Sequence, residues 1–260
     1  MAAHEAPLSI APDIPLLEAS GISFAYGRHL VVEDVDLLVR PGEFVALVGP
    51  NGSGKSTLLK VLLGSLEPSA GWVRLLGESP SRFADRGRVG YVPQRPILDS
   101  EVPATVREIV AVGRLSRRGW WRPLRPPDHD IVHHALESVG LSQLADRPLN
   151  ELSGGQQQRA FIARAFASEP DLLLLDEPIA GIDAESQRRF RDSLTHLIAE
   201  HGAGVLLVSH ELSAVAPDLD RVVVLKRRVV FDGTPAGLAA SGVSLGVHPE
   251  DLPLWLEELG

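Results

Sequence analysis

Three short stretches place polar residues where a phosphorylated substrate could be held and attacked. Gly49-Pro50-Asn51-Gly52-Ser53-Gly54-Lys55-Ser56 fits the spacing G-x-x-x-x-G-K-[ST], and Thr57 follows it. Glycines in such a loop let backbone N–H groups turn toward phosphate oxygens with no Cβ in the way, and the helix that opens there adds a favourable field. Lys55 would reach the β- and γ-phosphates and the Ser56 hydroxyl would face Mg²⁺. Leu172-Leu173-Leu174-Leu175 runs straight into Asp176-Glu177. Asp176 would hold Mg²⁺, directly or through water, and Glu177 would orient or deprotonate the attacking water. Two adjacent acids beside a phosphate cradle suit phosphoryl transfer better than glycoside hydrolysis. Val205-Leu206-Leu207-Val208 ends in Ser209-His210, and His210 is placed to sense a γ-phosphate.

A fourth stretch, Leu152-Ser153-Gly154-Gly155-Gln156-Gln157-Gln158-Arg159, reads first as a helix start. Ser153 with Gln156 three residues on is a capping box. The paired glycines are unexplained by that reading, because in a first turn they cost helix propensity. A helix N-terminus with a serine hydroxyl and bare backbone is also an anion site. One chain thus carries two cradles.

These residues need a scaffold. Leu16 to Arg40 alternates apolar and polar residues, as half-buried strands do, and Pro41-Gly42 marks a turn. Phe44 to Val48 is apolar throughout, the pattern of a strand covered on both faces. Leu58 to Leu63 reads as a buried helix ending near Gly64, and strand character recurs at Val73–Leu76, Arg88–Val92, Leu172–Leu175 and Val205–Val208. Val106 to Leu149 turns helical, with Asp128 a candidate cap, and reads as an inserted helical subdomain. Helices fit Gln156–Ser168 and Ala184–Glu200, and Val222–Leu225 with Val229–Phe231 suggests a hairpin. Short apolar strands alternating with helices predict an α/β chain with a mostly parallel sheet.

Composition narrows the function. With 260 residues, 44% hydrophobic and 23% charged, the chain is ordinary for a globular protein. A net charge of -9 argues against wrapping nucleic acid, so no nucleic-acid partner is expected. The absence of cysteine removes disulfides, thiolate metal sites and cysteine nucleophiles. The start, MAAHEAPLSIAPDIP, lacks a basic region followed by an apolar core, and no apolar run approaches the ~20 residues of a spanning helix. The chain is expected to be soluble, with any membrane span supplied by a partner.

Taken together the motifs resemble the ATP-binding cassette (ABC) ATPases over nearly the whole chain. The phosphate loop, Gln94, LSGGQ, LLLLDE and Ser209-His210 occur in that family's order and rough spacing. The resemblance implies an α/β P-loop NTPase core with a mostly parallel sheet, an N-terminal antiparallel β subdomain and the helical insertion at about 104–168. A single nucleotide-binding domain would span 16–240, between a loose lead-in at 1–15 and a tail at 241–260. It implies ATP and Mg²⁺ as ligands, and a head-to-tail pair with a second copy. Ser153, Gly154, Gly155 and Gln156 of one copy would then face the γ-phosphate held by the other, which accounts for the second cradle. Tyr26 looks like the aromatic that stacks on adenine. Gln94 looks like the residue that couples Mg²⁺ and the attacking water to the transporter contact. Ala180-Gly181-Ile182-Asp183 looks like the loop between the two sites, with Asp183 in the in-trans contact. Ile179 departs from the Thr often found there. Integral membrane permease subunits are implied as partners, a substrate-binding protein indirectly, and a place on the cytoplasmic face of the cell membrane.

Finer resemblance lies in Tyr91-Val92-Pro93-Gln94-Arg95, Asp99, Pro103, Thr105-Val106, Gly113-Arg114 and Arg118-Gly119-Trp120-Trp121. These are similar to cassettes of manganese, zinc and iron-chelate importers. The expected activity is ATP hydrolysis coupled to import, with metal ions as cargo. Siderophore import remains open, as does a soluble ABC protein acting as regulator or scaffold. Two constellations are read as solvated surface: the basic, aromatic run Arg117 to Arg122, and His129, His133 and His134, in which an i,i+4 pair lacks an evident third ligand.

Overall fold

The computed structural model describes residues 14–94, 104–118, 123–178, 184–209, 212 and 215–243. Strands β1 (Leu17–Tyr26), β2 (His29–Val39) and β4 (Ala70–Leu75) form an antiparallel sheet in the order β2-β1-β4. The second sheet has six strands. Besides β3 (Phe44–Val48) it contains β5 (Val89–Val92), β6 (Leu172–Asp176), β7 (Gly204–Val208), β8 (Arg221–Lys226) and β9 (Arg228–Gly233). Their order is β5-β6-β7-β3-β8-β9. The first five run parallel and β9 returns antiparallel. The hairpin expected near Val222 to Phe231 is therefore the sheet's far edge, turned at Arg227 with φ 64.

The all-apolar strands have the cause their sequence implied. On β3, Val45 and Leu47 face one core, and Phe44, Ala46 and Val48 face another. The first core holds α1 (Lys55–Leu62) between the two sheets, with Leu58, Leu59, Val61 and Leu62 buried. The second packs the sheet under α4 (Gly154–Ala167) and α5 (Ala184–His201), and extends to α2 (Val106–Arg118) and α3 (Pro126–Ser138). Each such buried Leu or Phe contributes on the order of 1.5–3 kcal/mol.

Helix starts and stops follow local chemistry. α1 ends where Gly64 adopts φ 71, and a Cβ there would lie 2.6 Å from the Pro80 side chain. α3 begins at Pro126, earlier than a cap at Asp128 would place it. Asp128 sits inside the first turn and accepts the Arg125 N–H at 2.7 Å, so it satisfies a helix-end donor from within the helix. Its other oxygen accepts from Arg114 Nε at 3.1 Å. The Arg114 Nη1 also donates to Glu169 at 2.7 Å and to the Ala167 carbonyl at 3.1 Å, which ties α2, α3 and the end of α4 together. At Gly113 a Cβ would meet the Arg164 carbonyl at 2.2 Å, so only glycine lets α2 lie this close to α4.

Arg117, which opens the basic run Arg117 to Arg122, is not the solvated surface residue that its sequence suggests. Arg117 donates to the Ser168 and Glu169 carbonyls just beyond α4 and is part-buried, because charged donors suit the bare carbonyls of a helix end. Residues 119–122 lie outside the described residues.

Candidate active site

Strand order decides which motifs can meet. β5, β6, β7 and β3 are consecutive and parallel, so their carboxyl ends share one edge, with neighbouring strands about 4.8 Å apart. β3 leads into Gly49–Thr57, β6 ends at Asp176 and Glu177, β7 leads to Ser209, and β5 leads to Pro93 and Gln94. Four segments far apart in sequence thus reach one crevice, where open α/β sheets bind ligands.

The loop after β3 is shaped by its glycines. A Cβ on Gly49 would fall 2.2 Å from the Leu225 carbonyl oxygen, and Gly54 takes φ 102 with a Cβ position 2.9 Å from the Val31 carbonyl. Gly54 is also the N-cap of α1 and provides no side-chain cap, so the first N–H groups of α1 are left for another acceptor. Ser53 donates its N–H to the Pro50 carbonyl at 3.1 Å and receives the Arg227 N–H at 3.1 Å, which fastens the loop to the β8–β9 turn. Asn51, Gly52 and Ser56 are exposed, and Thr57 is part-exposed.

Lys55 is buried, and its Nζ donates to the Gly49 carbonyl at 2.7 Å and the Pro50 carbonyl at 3.1 Å. Burial pulls its pKa below the ordinary lysine value, while the carboxylates of Glu177 and Asp176 oppose that shift. Asp176 moves the other way: burial raises its pKa first, the Glu177 charge raises it further, and Lys55 and Lys60 resist. Oδ1 of Asp176 and Oγ of Ser53 are buried with no hydrogen-bond partner among the described residues. Such an orphan is costly unless something else fills the position.

Glu177 leaves the strand abruptly, with φ 47, a left-handed conformation that costs a non-glycine residue on the order of 1–3 kcal/mol. Its N–H is held by the Val208 carbonyl at 2.8 Å, and its Oε2 accepts from Gln94 Nε2 at 3.1 Å. Tyr26, at the end of β1, is 52% exposed and is backed edge-on by Phe24 at 4.9 Å. An open tyrosine face braced from behind can stack on a flat ring.

The second cradle is built as its capping box requires. Gln156 N–H donates to Ser153 Oγ at 3.4 Å, and Ser153 N–H donates to Gln156 Oε1 at 3.0 Å. Ser153, Gly154 and Gly155 are exposed, and a Cβ on either glycine would meet nothing within 4 Å. α4 packs on α2, α3 and β5, whereas α1 packs on β1, β2 and β4. The two cradles therefore stand on different layers.

A profile of the ABC transporter family matches residues 32–180, more than half of the chain. The chain belongs to the ABC transporter family. The cassette is 40% identical over 220 residues to the zinc uptake system ATP-binding protein ZurA of Listeria innocua, covering 84% of this chain and 86% of that one. It is 36% identical over 222 residues to the manganese transport system ATP-binding protein MntB of Halalkalibacterium halodurans, covering 85% and 87%. Among solved structures, the ATP-binding subunit of an ABC transporter superposes with a TM-score of 0.79 at 29% identity, over 93% of this chain and 99% of that one. As an ATP-binding subunit of this family the cassette is an ATPase whose activity is coupled to transport.

The sheet edge gathers Gly49–Thr57, Asp176, Glu177 and Gln94. Ser153–Gln156 stands apart on α4, while His210, Asp183 and Ile179 lie outside the described residues. Sequence reasoning missed Gln158, which is buried on α4 and donates from Nε2 to the Pro93 carbonyl at 3.1 Å, beside Gln94. It missed Arg159, which donates to the Val139 carbonyl at 3.2 Å and to Ser186 at 3.1 Å, bridging α3 and α5. For Gln158 a signal existed. With Phe161, Ile162 and Ala165 it occupies one helical stripe that is otherwise apolar.

Proposed function

We propose that the cassette is the ATP-hydrolysing subunit of an importer for divalent metal ions, with zinc and manganese the leading cargoes. The observation that carries the chemistry is the shared strand edge, where buried Lys55, the orphaned Asp176 oxygen and the Gln94–Glu177 pair converge. The names of the relatives support the cargo, since those proteins serve zinc and manganese systems.

In this reading the backbone of Gly49 to Thr57 and the Lys55 ammonium hold the phosphates, and Tyr26 stacks on adenine. Mg²⁺ would be held by Ser56, Asp176 and Gln94. The unpartnered Asp176 carboxylate oxygen and the exposed Ser56 hydroxyl are oxygen donors of the kind a hard cation prefers, and such an ion would supply positive charge to the phosphate oxygens. Glu177 takes the proton of the attacking water, its side chain aimed by the left-handed turn and by Gln94. His210 and the Ser153, Gly154, Gly155 and Gln156 cradle of a second copy stabilise the γ-phosphate, with Asp183 near that contact. Catalysis of this kind is chiefly positioning and charge stabilisation. No helix among the described residues is long and apolar enough to cross a membrane, so permease subunits would supply the span and hold the cassette on the cytoplasmic face. A substrate-binding protein would act through them.

The test is Glu177→Gln in the purified protein. ATP binding is retained and hydrolysis is nearly lost, because the amide keeps the shape and loses the base. Normal turnover by that variant would remove Glu177 from the mechanism. The cargo is tested separately, by which metal's depletion arrests growth when the gene is deleted.

A further inference from the structure

We propose that His133, His134 and Glu137 form a surface binding site for a zinc-class divalent ion on the exposed face of α3, at the rim of its groove with α5. In the sequence His129 and His133 form an i,i+4 pair with no evident third ligand; in the fold His133 is grouped instead with its neighbour His134 and with Glu137. The donor atoms of the three side chains all lie within 4.8 Å of one another. His134 Nδ1 is 3.8 Å from Glu137 Oε2, and the two imidazole rings are 6.1 Å apart, nearly perpendicular. Helix geometry explains how Glu137 reaches both imidazoles: it is four residues from His133 and three from His134, within reach of each over the adjacent turn.

The donor set selects the ion. Two imidazoles and one carboxylate suit Zn²⁺ and its neighbours, whereas Mg²⁺ and Ca²⁺ prefer all-oxygen shells. Bonds of about 2.0–2.2 Å in a tetrahedron bring donors to roughly 3.4 Å from each other. The three side chains need only close by somewhat more than an ångström. All are exposed and free to turn, with His134 at 78% and Glu137 at 64% side-chain exposure. Water completes the fourth position. His134 and Glu137 also line a groove of 680 Å³ whose opposite wall, on α5, carries Arg189, Asp192 and His196. The ion would therefore sit where α3 of the helical layer faces α5 of the core. The site rests on side-chain geometry alone and stands apart from the cargo reading: a zinc site could exist in a manganese importer, and the reverse.

The experiment titrates the full-length, nucleotide-free protein with Zn²⁺ against a chromophoric chelator. About one ion binds per chain, and excess Mg²⁺ does not displace it. His133→Ala, His134→Ala and Glu137→Gln each weaken binding by about tenfold or more. The double variant His196→Ala/His201→Ala, on α5, binds as the parent does. Because the three residues are exposed, thermal melts of the variants match the parent and separate lost ligation from lost fold. Parent-like affinity in a His133→Ala/Glu137→Gln double variant would overturn the site. So would loss of binding in the α5 control.

Discussion

Gln158 offers the sharpest separation of stability from function. Its Nε2 donates to the Pro93 carbonyl at 3.1 Å, while its Oε1 is buried with no partner among the described residues. Gln158→Met keeps the length of the side chain and removes both polar atoms. The lost hydrogen bond leaves the Pro93 carbonyl unpaired, at a cost of about 1–3 kcal/mol, toward the low end because Pro93 is only half-buried and water can reach it. Removing the orphaned oxygen returns a similar amount, since an unpaired buried acceptor carries the same penalty. The two nearly cancel, so stability changes by no more than about 1 kcal/mol, a shift of roughly 2–4 °C in melting temperature for a chain of this size. Turnover does not enjoy that cancellation. Pro93 immediately precedes Gln94, whose amide holds Glu177 at 3.1 Å, and the tether from α4 fixes where that amide sits.

A catalytic group misplaced by an ångström can cost on the order of 100-fold, so kcat for ATP falls by about tenfold or more. KM changes little, because the nucleotide is held elsewhere. The assay pairs a steady-state ATPase measurement on the assembled complex with thermal and urea unfolding of the cassette. A stability loss above about 3 kcal/mol would show that Oε1 is paired in the folded protein. Unchanged turnover would show that the tether does not position Gln94.

Three further outcomes are expected. Ser153→Arg leaves nucleotide binding to the isolated chain intact, because the residue is exposed and remote in packing from α1, but abolishes ATP-induced dimerisation and turnover; gel filtration with ATP and a hydrolysis assay check both. Gly49→Ala forces a methyl to within 2.2 Å of the Leu225 carbonyl, destabilises the fold by about 1–3 kcal/mol and weakens nucleotide affinity at least tenfold, read by melting and by titration with a fluorescent nucleotide. Arg114→Met removes the guanidinium that joins Asp128, 3% exposed, to Glu169 and the Ala167 carbonyl, and lowers stability by about 3 kcal/mol in urea, the low end for a broken buried pair because the Arg125 N–H still reaches the carboxylate.

What could be read from the sequence was local. The strand at Phe44–Val48 declared itself because both faces are buried, and the phosphate loop because its glycines have fixed offsets from Lys55. The capping box of Ser153 and Gln156 spans three residues, so nothing distant was needed to see it. The missed roles all depend on what a different element presents. Gly113 and Arg114 first stood out only as a family likeness; the fold gives them a packing reason, a close helix approach and a buried ion network. Asp128 looked like a cap from its position before an apolar stripe, yet half of its work is done for Arg114 on another helix. Arg117 looked solvated because the carbonyls it binds belong to the turn after α4, some fifty residues later.

Gly49 and Gly54 of the first cradle and the two glycines of the second obey different constraints, and the difference bears on how the cassette works. Gly49 and Gly54 are demanded from inside: any Cβ there collides with backbone of the same chain. Gly154 and Gly155 face open space, and Gly154 and Gly155 lie within α4, where alanine would favour the helix by up to about 1 kcal/mol each. Nothing within the described residues calls for them. The capping box does not call for them either, since its two hydrogen bonds use only Ser153 and Gln156. A helix start that gives up propensity, lacks a packing neighbour among the described residues and bares its N–H groups is what the proposed close approach of a second copy to this backbone would require. The first cradle closes on its ligand with its own strands around it. The second stands exposed at the head of α4, and in the proposed pairing a nucleotide bound to another copy would supply both the anion and the surface facing it.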